Sequence, residues 1–180
     1  GYYNDTIGDY KFQLLDLENA PILDLNISTD ISLGAKETKA YKFNGEAGQK
    51  VWLDGLSDSN PEIKAYLYNP NGRQLYDYSD FTLDKELQTF SQDGSYYLIF
   101  SSDKTSETTA SFQLLDNKNA QAISLTGDDV NISGNFGTSG RETNIYKFNG
   151  NKGQLIYFQR NDGFYNNYYD LYNPAGEIIF

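Results

Sequence analysis

The chain has 180 residues, a formal net charge of −11 and a sequence pI near 4.3. That balance argues against nucleic acid and anionic lipid as partners, because both attract basic surfaces. With 16 Tyr and 11 Phe, the chain is too rich in core-forming side chains to be a disordered acidic segment. It contains no Cys and no His, which removes disulfides, a Ser–His pair, a thiolate nucleophile and the usual zinc ligands. No apolar run approaches the roughly 20 residues of a membrane-spanning helix, and no signal-peptide pattern is present.

One stretch recurs. Glu37-Thr38, Tyr41-Lys42-Phe43-Asn44-Gly45, Gly48-Gln49 and Leu67-Tyr68-Asn69-Pro70 with Gly72 form the first copy. Glu142-Thr143, Tyr146-Lys147-Phe148-Asn149-Gly150, Gly153-Gln154 and Leu171-Tyr172-Asn173-Pro174 with Gly176 form the second. The offset is 146 − 41 = 105 at the front and 171 − 67 = 104 at the back, while Phe-Gln-Leu-Leu-Asp at 12–16 returns at 112–116. A period near 100 residues is the signature of a repeated small domain. Phased on these landmarks, residues 1–16 are the C-terminal strand of a preceding repeat, 17–116 a complete repeat and 117–180 the N-terminal part of a following one. The following copy has no counterparts of residues 77–100, and 1–16 would restore one of its strands. The chain therefore reads as an excerpt of a longer array, with strand donation between identical chains as the alternative.

Short alternating runs between turn signals predict strands throughout, and no window keeps a capped helical period. In chain order the strands are expected at 10–15, at two short places within 20–34, and near 39–44, 49–54, 63–68, 74–78, 86–90, 95–101 and 110–115. Turns are expected at Asn44-Gly45, Asn69-Pro70-Asn71-Gly72 and Asp93-Gly94, where Gly accepts positive φ and Pro presets its own. Successive side chains leave opposite faces of a strand. Val51, Leu53, Ile63, Ala65 and Leu67 should therefore face the core with Tyr41 and Phe43, while Lys50, Trp52, Asp54, Lys64, Tyr66 and Tyr68 face outward. The second copy should repeat this, with Ile156 and Phe158 inside and Tyr157 and Tyr172 at the positions of Trp52 and Tyr68. The expected fold is all-β, as tandem jelly-roll-like β-sandwich repeats of about 100 residues.

These same residues resemble the bacterial pre-peptidase C-terminal domain family. The likeness lies in Tyr41, Phe43, Gly45, Gly48 and Gln49, the run 51–53, the hairpin 67–72, Gly94 with Tyr96 and Tyr97, and Phe112 with Leu114. It covers the middle copy and both partial ones, and its motifs encode turns and core positions. It implies a jelly-roll-like accessory sandwich, often tandem in large secreted bacterial proteins, with calcium or extracellular polymers as ligands in some members. It carries no catalytic residues.

Calcium takes several oxygen ligands, so the oxygen-rich loop Asp54, Asp58, Asn60 and Glu62 is a candidate site, as is Asp128 with Asp129. Asp and Asn are also ordinary turn residues, and the matching loop of the second copy keeps little of the charge. Calcium is the candidate cofactor, and none is required. The outward aromatics Trp52, Tyr66, Tyr68, Tyr157 and Tyr172 are candidates for stacking on sugar rings or a partner protein. They could equally pack on a neighbouring repeat or on each other across the sheet. Asn26-Ile27-Ser28 and Asn131-Ile132-Ser133 match the glycosylation pattern. The leading expectation is a non-enzymatic structural or adhesive repeat of a large extracellular or surface-attached protein, acting as a stalk, filament or spacer. Its partners would be neighbouring repeats of the same chain or identical chains. The alternative is a glycan- or matrix-binding accessory module, stabilised by calcium.

Overall fold

Burial alternates residue by residue along Ile63–Tyr68, with Ile63, Ala65 and Leu67 buried and Lys64, Tyr66 and Tyr68 half-exposed. This is the pattern expected where one face of a sheet meets a core and the other does not. The computed structural model describes residues 9–57, 61–78, 87–125, 129–136, 141–161 and 168–180. Its strands are β1 (Thr29–Leu33), β2 (Thr38–Gly45), β3 (Lys50–Gly55), β4 (Ile63–Tyr68), β5 (Gln74–Tyr78), β6 (Gln88–Thr89), β7 (Gly94–Ser102), β8 (Thr108–Asp116), β9 (Gln121–Ile123) and β10 (Tyr146–Phe148).

The first eight strands form two antiparallel sheets, ordered β1-β8-β3-β6 and β2-β7-β4-β5. First pairs with eighth, second with seventh, third with sixth and fourth with fifth. That is an antiparallel ribbon wound over on itself as a jelly roll. The two sheets face each other as a sandwich. Ile31, Leu33, Leu53, Phe112 and Leu114 from one sheet share a single buried cluster with Phe43, Ile63, Leu67, Leu98 and Phe100 from the other. The Phe100 and Phe112 rings meet across the sheets at 4.6 Å, with Tyr41 edge-on to both. Tyr96 stacks on Phe90 at 3.8 Å, close to Phe43.

Gly45 is not the turn residue its sequence suggested. It is the last residue of β2, paired with Gly94, and a Cβ there would come within 2.7 Å of the Phe90 and Tyr96 rings. The turn lies just beyond, at Gly48, whose φ is +81°. Gly72 does turn the Asn69–Arg73 hairpin, at φ +76°. Within 20–34 one strand forms, β1, together with a single parallel bridge from Ile22 to Lys42.

Two expected strands are absent where they were placed. Residues 10–15 form none, and Tyr10, Phe12 and Leu14 are exposed. Their counterpart 110–115 lies in β8, between β1 and β3, so the position is already taken. Likewise 155–160 forms no strand, and Ile156 and Phe158, expected in a core, are half-exposed. Their counterparts in β3 are held by β8 and β6, whereas no strand among the described residues pairs with 155–160. A strand without a neighbour leaves its backbone groups unpaired and its apolar face uncovered.

Candidate functional site

The best-built polar and aromatic cluster lies where β8 leaves the sandwich and the second copy of the landmarks meets β3. β8 ends at Asp116, which caps a 3-10 turn over Asn117–Asn119: Lys118 N–H donates to Asp116 Oδ1 at 2.9 Å. A carboxylate in this position satisfies an amide that the turn leaves without a partner. Asp116 Oδ2 accepts from Gln49 Nε2 at 3.0 Å, and both side chains are buried. Asn117 Oδ1 accepts from Lys50 N–H at 3.0 Å, and Lys118 pairs with Glu46. Gln49, one of the recurring landmarks, thus fastens the turn after β2 to the exit of β8. The same capped turn occurs at Leu17–Asn19, where Asp16 Oδ1 accepts from Glu18 N–H at 3.1 Å.

Beyond this turn the chain runs back over the outer face of β3. Asp54 lies on that face, as alternation requires, yet it is fully buried. Its Oδ1 accepts from Thr143 Oγ1 at 3.0 Å, and its Oδ2 accepts from Thr143 N–H at 3.0 Å and from Gln113 Nε2 at 2.5 Å. A buried carboxylate is tolerable only with such donors, and hydrogen bonds to a charged acceptor are among the stronger ones. Tyr172 meets Trp52 edge-on, with ring centres 6.1 Å apart and planes at 74°. Gly176 follows in the left-handed region at φ +90°, where a Cβ would sit 3.0 Å from Thr89 Oγ1 and 3.4 Å from Lys50 Cε. Any other residue there would be strained in backbone and crowded in space. Trp52 Nε1 is buried without an acceptor, which is where this otherwise satisfied contact is weakest.

Of the candidate calcium ligands, Asp54, Glu62 and Asp129 fall among the described residues. Asp54 accepts three hydrogen bonds from N–H and O–H donors. Glu62 is exposed, with Oε1 3.3 Å from Lys104 Nζ, and Asp129 is exposed. Asp58, Asn60 and Asp128 lie outside the described residues. Among the described residues no group of three or more Asp, Glu, His or Cys side chains is placed to hold a metal ion.

The candidate aromatics divide among three places. Trp52 and Tyr172 cover each other. Tyr66 and Tyr68 are on the outer face of the opposite sheet, half-exposed, with the Tyr68 hydroxyl donating to Gln74 Oε1 at 3.0 Å. Tyr157 is almost fully exposed on a segment without strand structure. Alternation tells which way a side chain leaves its strand, but not which sheet that strand joins. Tyr97 was missed as a surface candidate, although the β4–β7 register sets it directly opposite Tyr68. In the sequence Thr143 stands out only as part of a recurring Glu-Thr pair, and that recurrence is the one signal for its role. The sequon at Asn26 is closed to modification, because its Nδ2 is buried.

Among the described residues the shifted ionisations fall on one surface ion pair and on three tyrosines. Lys64 and Asp103 pair at 2.6 Å on the surface, which raises the ammonium pKa and lowers that of the carboxyl through their hydrogen bond and mutual charge. Burial alone raises the phenols of Tyr41 and Tyr76, and it is the main cause of the rise at Tyr96. No helix among the described residues is long and apolar enough to cross a membrane.

Neither a protein-family model nor a curated protein matches the sequence. Similar solved structures include the Aeromonas hydrophila PliG, a periplasmic inhibitor of g-type lysozyme. It is 13% identical, with 54% of this chain and 94% of that one covered and a TM-score of 0.44. The pre-peptidase C-terminal domain of a Bacillus anthracis collagenase is 16% identical, covering 53% and 94%, with a TM-score of 0.42. PliG from Salmonella Typhimurium is 20% identical, covering 53% and 97%, with a TM-score of 0.37. At these identities and TM-scores the likenesses carry no argument about function, which has to come from the chain's own residues.

Proposed function

We propose that the chain is a non-catalytic structural piece of a large extracellular or surface-attached protein, in which successive β-sandwich units are coupled through a fixed joint as a stalk or spacer. In this reading 17–116 is one complete unit and 117–180 begins the next. The observation that carries it is the covered outer face of β3, where Asp54, Trp52 and Lys50 meet Thr143, Tyr172 and Gly176. A loose tether between independent beads would need none of these contacts, whereas a spacer that transmits direction needs the joint to resist bending.

Trp52 is the sole tryptophan and lies in the joint, so its emission reports the joint directly. Tyr172→Ala should red-shift that emission and open it to acrylamide quenching while the far-ultraviolet circular dichroism of the sandwich stays unchanged. Unaltered emission in the variant would count against a closed joint.

A second reading has a specific observation in its favour. Tyr66, Tyr68 and Tyr97 form a half-exposed aromatic patch on the outer face of the β2-β7-β4-β5 sheet. Such a patch suits stacking on sugar rings of an extracellular glycan or matrix polymer. Tyr66→Ala should weaken retention on a glycan array if the patch binds sugar, and indifference across the array dismisses it.

A further inference from the structure

The chain enters the sandwich through a short segment that runs parallel to β2. Lys42 N–H donates to Pro21 O at 2.9 Å and Leu23 N–H donates to Lys42 O at 2.8 Å, on either side of the Ile22–Lys42 bridge. Ala20 and Leu23 are buried, so the segment is packed as well as hydrogen-bonded. The Lys42 ammonium reaches back to the capped turn ahead of it and donates to Glu18 O. The same device recurs at the next capped turn. β9 pairs parallel with β10, which sets Ala122 opposite Lys147. Lys147 Nζ donates to Lys118 O at 2.7 Å, and Ala120 is buried. Glu18 and Lys118 hold the same place in their turns, each bonded through its N–H to the capping carboxylate. These parallel contacts are set against two sheets whose strand pairs are antiparallel.

Strand directions decide how such a contact carries load. β2 and β8 both run toward the turn at Glu46–Gln49: β2 ends at Gly45 just before it, and β8 ends at Asp116, opposite Val51 just after it. The entry segment is parallel to β2 and points the same way. Tension applied through the turn at 17–19 therefore draws the entry segment backward along β2. Tension applied through the turn at 117–119 draws β8 forward.

We propose that the entry segment and β2 form a mechanical clamp, which makes the sandwich a load-bearing link when the chain is under tension. Pull along the strands loads the two backbone bonds, the Lys42–Glu18 bond and the buried Ala20 and Leu23 together, so they have to fail together. β1 and β8 present the opposite case. They are antiparallel, with Thr29 opposite Phe112, so the start of β1 and the end of β8 lie at one end of the pair. Pulled apart from there, their ladder opens one bond at a time. While the clamp holds, tension on the entry segment does not reach β1. The proposal rests on reading the chain as a stalk or spacer, in which a unit is pulled through both of its turns.

The chain has no cysteine, so two engineered thiols define where pulling handles attach. In the full chain, handles at Gln13→Cys and Asn119→Cys, both exposed, load the clamp. Handles at Ile27→Cys and Asn119→Cys share the exit but enter beyond the clamp, at an exposed residue next to β1. Forced unfolding follows the unfolding rate and not the equilibrium stability, so the readout is unfolding force at one loading rate. The first pair should need a several-fold higher force than the second. Lys42→Met keeps the aliphatic stem and removes the ammonium. It should lower the force for the first pair alone and leave urea unfolding nearly unchanged. Equal forces from the two pairs, or a loss on Lys42→Met shared by both, would overturn the proposal. The comparison of handle positions decides the matter even if Lys42→Met does not fold. Equal forces with Trp52 still shielded would remove the clamp and leave the joint, whereas unequal forces with Trp52 already open to quencher would do the reverse.

Discussion

The same landmarks occur twice in this chain and reach different ends. Gly48 and Gly153 have φ of +81° and +83°, and each turn is closed by the following Gln, whose Oε1 accepts from Glu46 or Asn151 N–H at 2.9 Å. Asn69 and Asn173 shape their hairpins with the same pair of backbone bonds, at 2.9 Å. The strands between these turns do not match. Val51 and Leu53 are each 1% exposed, whereas Ile156 and Phe158 are 49% and 51% exposed. Turns close through bonds spanning a few residues and need nothing else. A strand is stable only against neighbours that arrive from elsewhere in the sequence. Val51 and Leu53 have β8 and β6 for that purpose, and no strand among the described residues lies beside 155–160.

The sharpest break of this comparison is a matched pair of truncations. Phe112→Ala should destabilise the sandwich by about 3–5 kcal/mol, the usual cost of emptying an aromatic core site. Phe12→Ala, at an identical sequence position but 76% exposed rather than 0%, should leave urea unfolding of the isolated chain unchanged. A comparable loss for both would mean that the N-terminal run is packed after all. Next comes Gly45→Ala, which drives a methyl into the Phe90–Tyr96 stack and should cost about 1–3 kcal/mol. Gly150→Ala, where a Cβ meets only Gln154 Oε1 at 4.0 Å, should be near neutral by the same measurement. Asp54→Ala leaves the Thr143 and Gln113 donors without their acceptor and should cost about 1–3 kcal/mol, with a red shift at Trp52.

Alkaline pH gives a smaller, graded effect. Burial raises the Tyr41, Tyr76 and Tyr96 phenols above the ordinary 10.0, so the folded chain holds these protons more tightly than the unfolded one. Their contribution is complete below pH 10.0 and is lost as pH rises through the folded values. The melting temperature should therefore fall above that pH, and Tyr76→Phe should soften the fall. The smallest expected change is at Lys64–Asp103. The pair is solvent-exposed, and Asp103→Asn should not move the melting temperature measurably in physiological salt.

Much of the sandwich was legible because a period of two is a local property. Val51, Leu53, Ile63, Ala65 and Leu67 all face the core as their alternation required. Legibility ended wherever the answer depended on distant residues. Alternation put Asp54 on the outer side of β3 correctly but could not show that Thr143 would cover it. It gave Trp52 and Tyr66 outward directions but not the opposite sheets that separate them. Gly45 looked like a turn glycine because the turn is only three residues away, whereas its lack of a side chain makes room for rings contributed by residues 90 and 96. Ile156 and Phe158 carry the right pattern for a core that this stretch of sequence does not assemble around them.

We propose that the joint over β3 holds two successive units in one orientation. Spin labels at Thr105→Cys and Lys152→Cys, both exposed and on opposite sides of that joint, test this in the full chain by their distance distribution. A single narrow peak that broadens in Asp54→Ala is the predicted result. A broad distribution already present with Asp54 intact would contradict it.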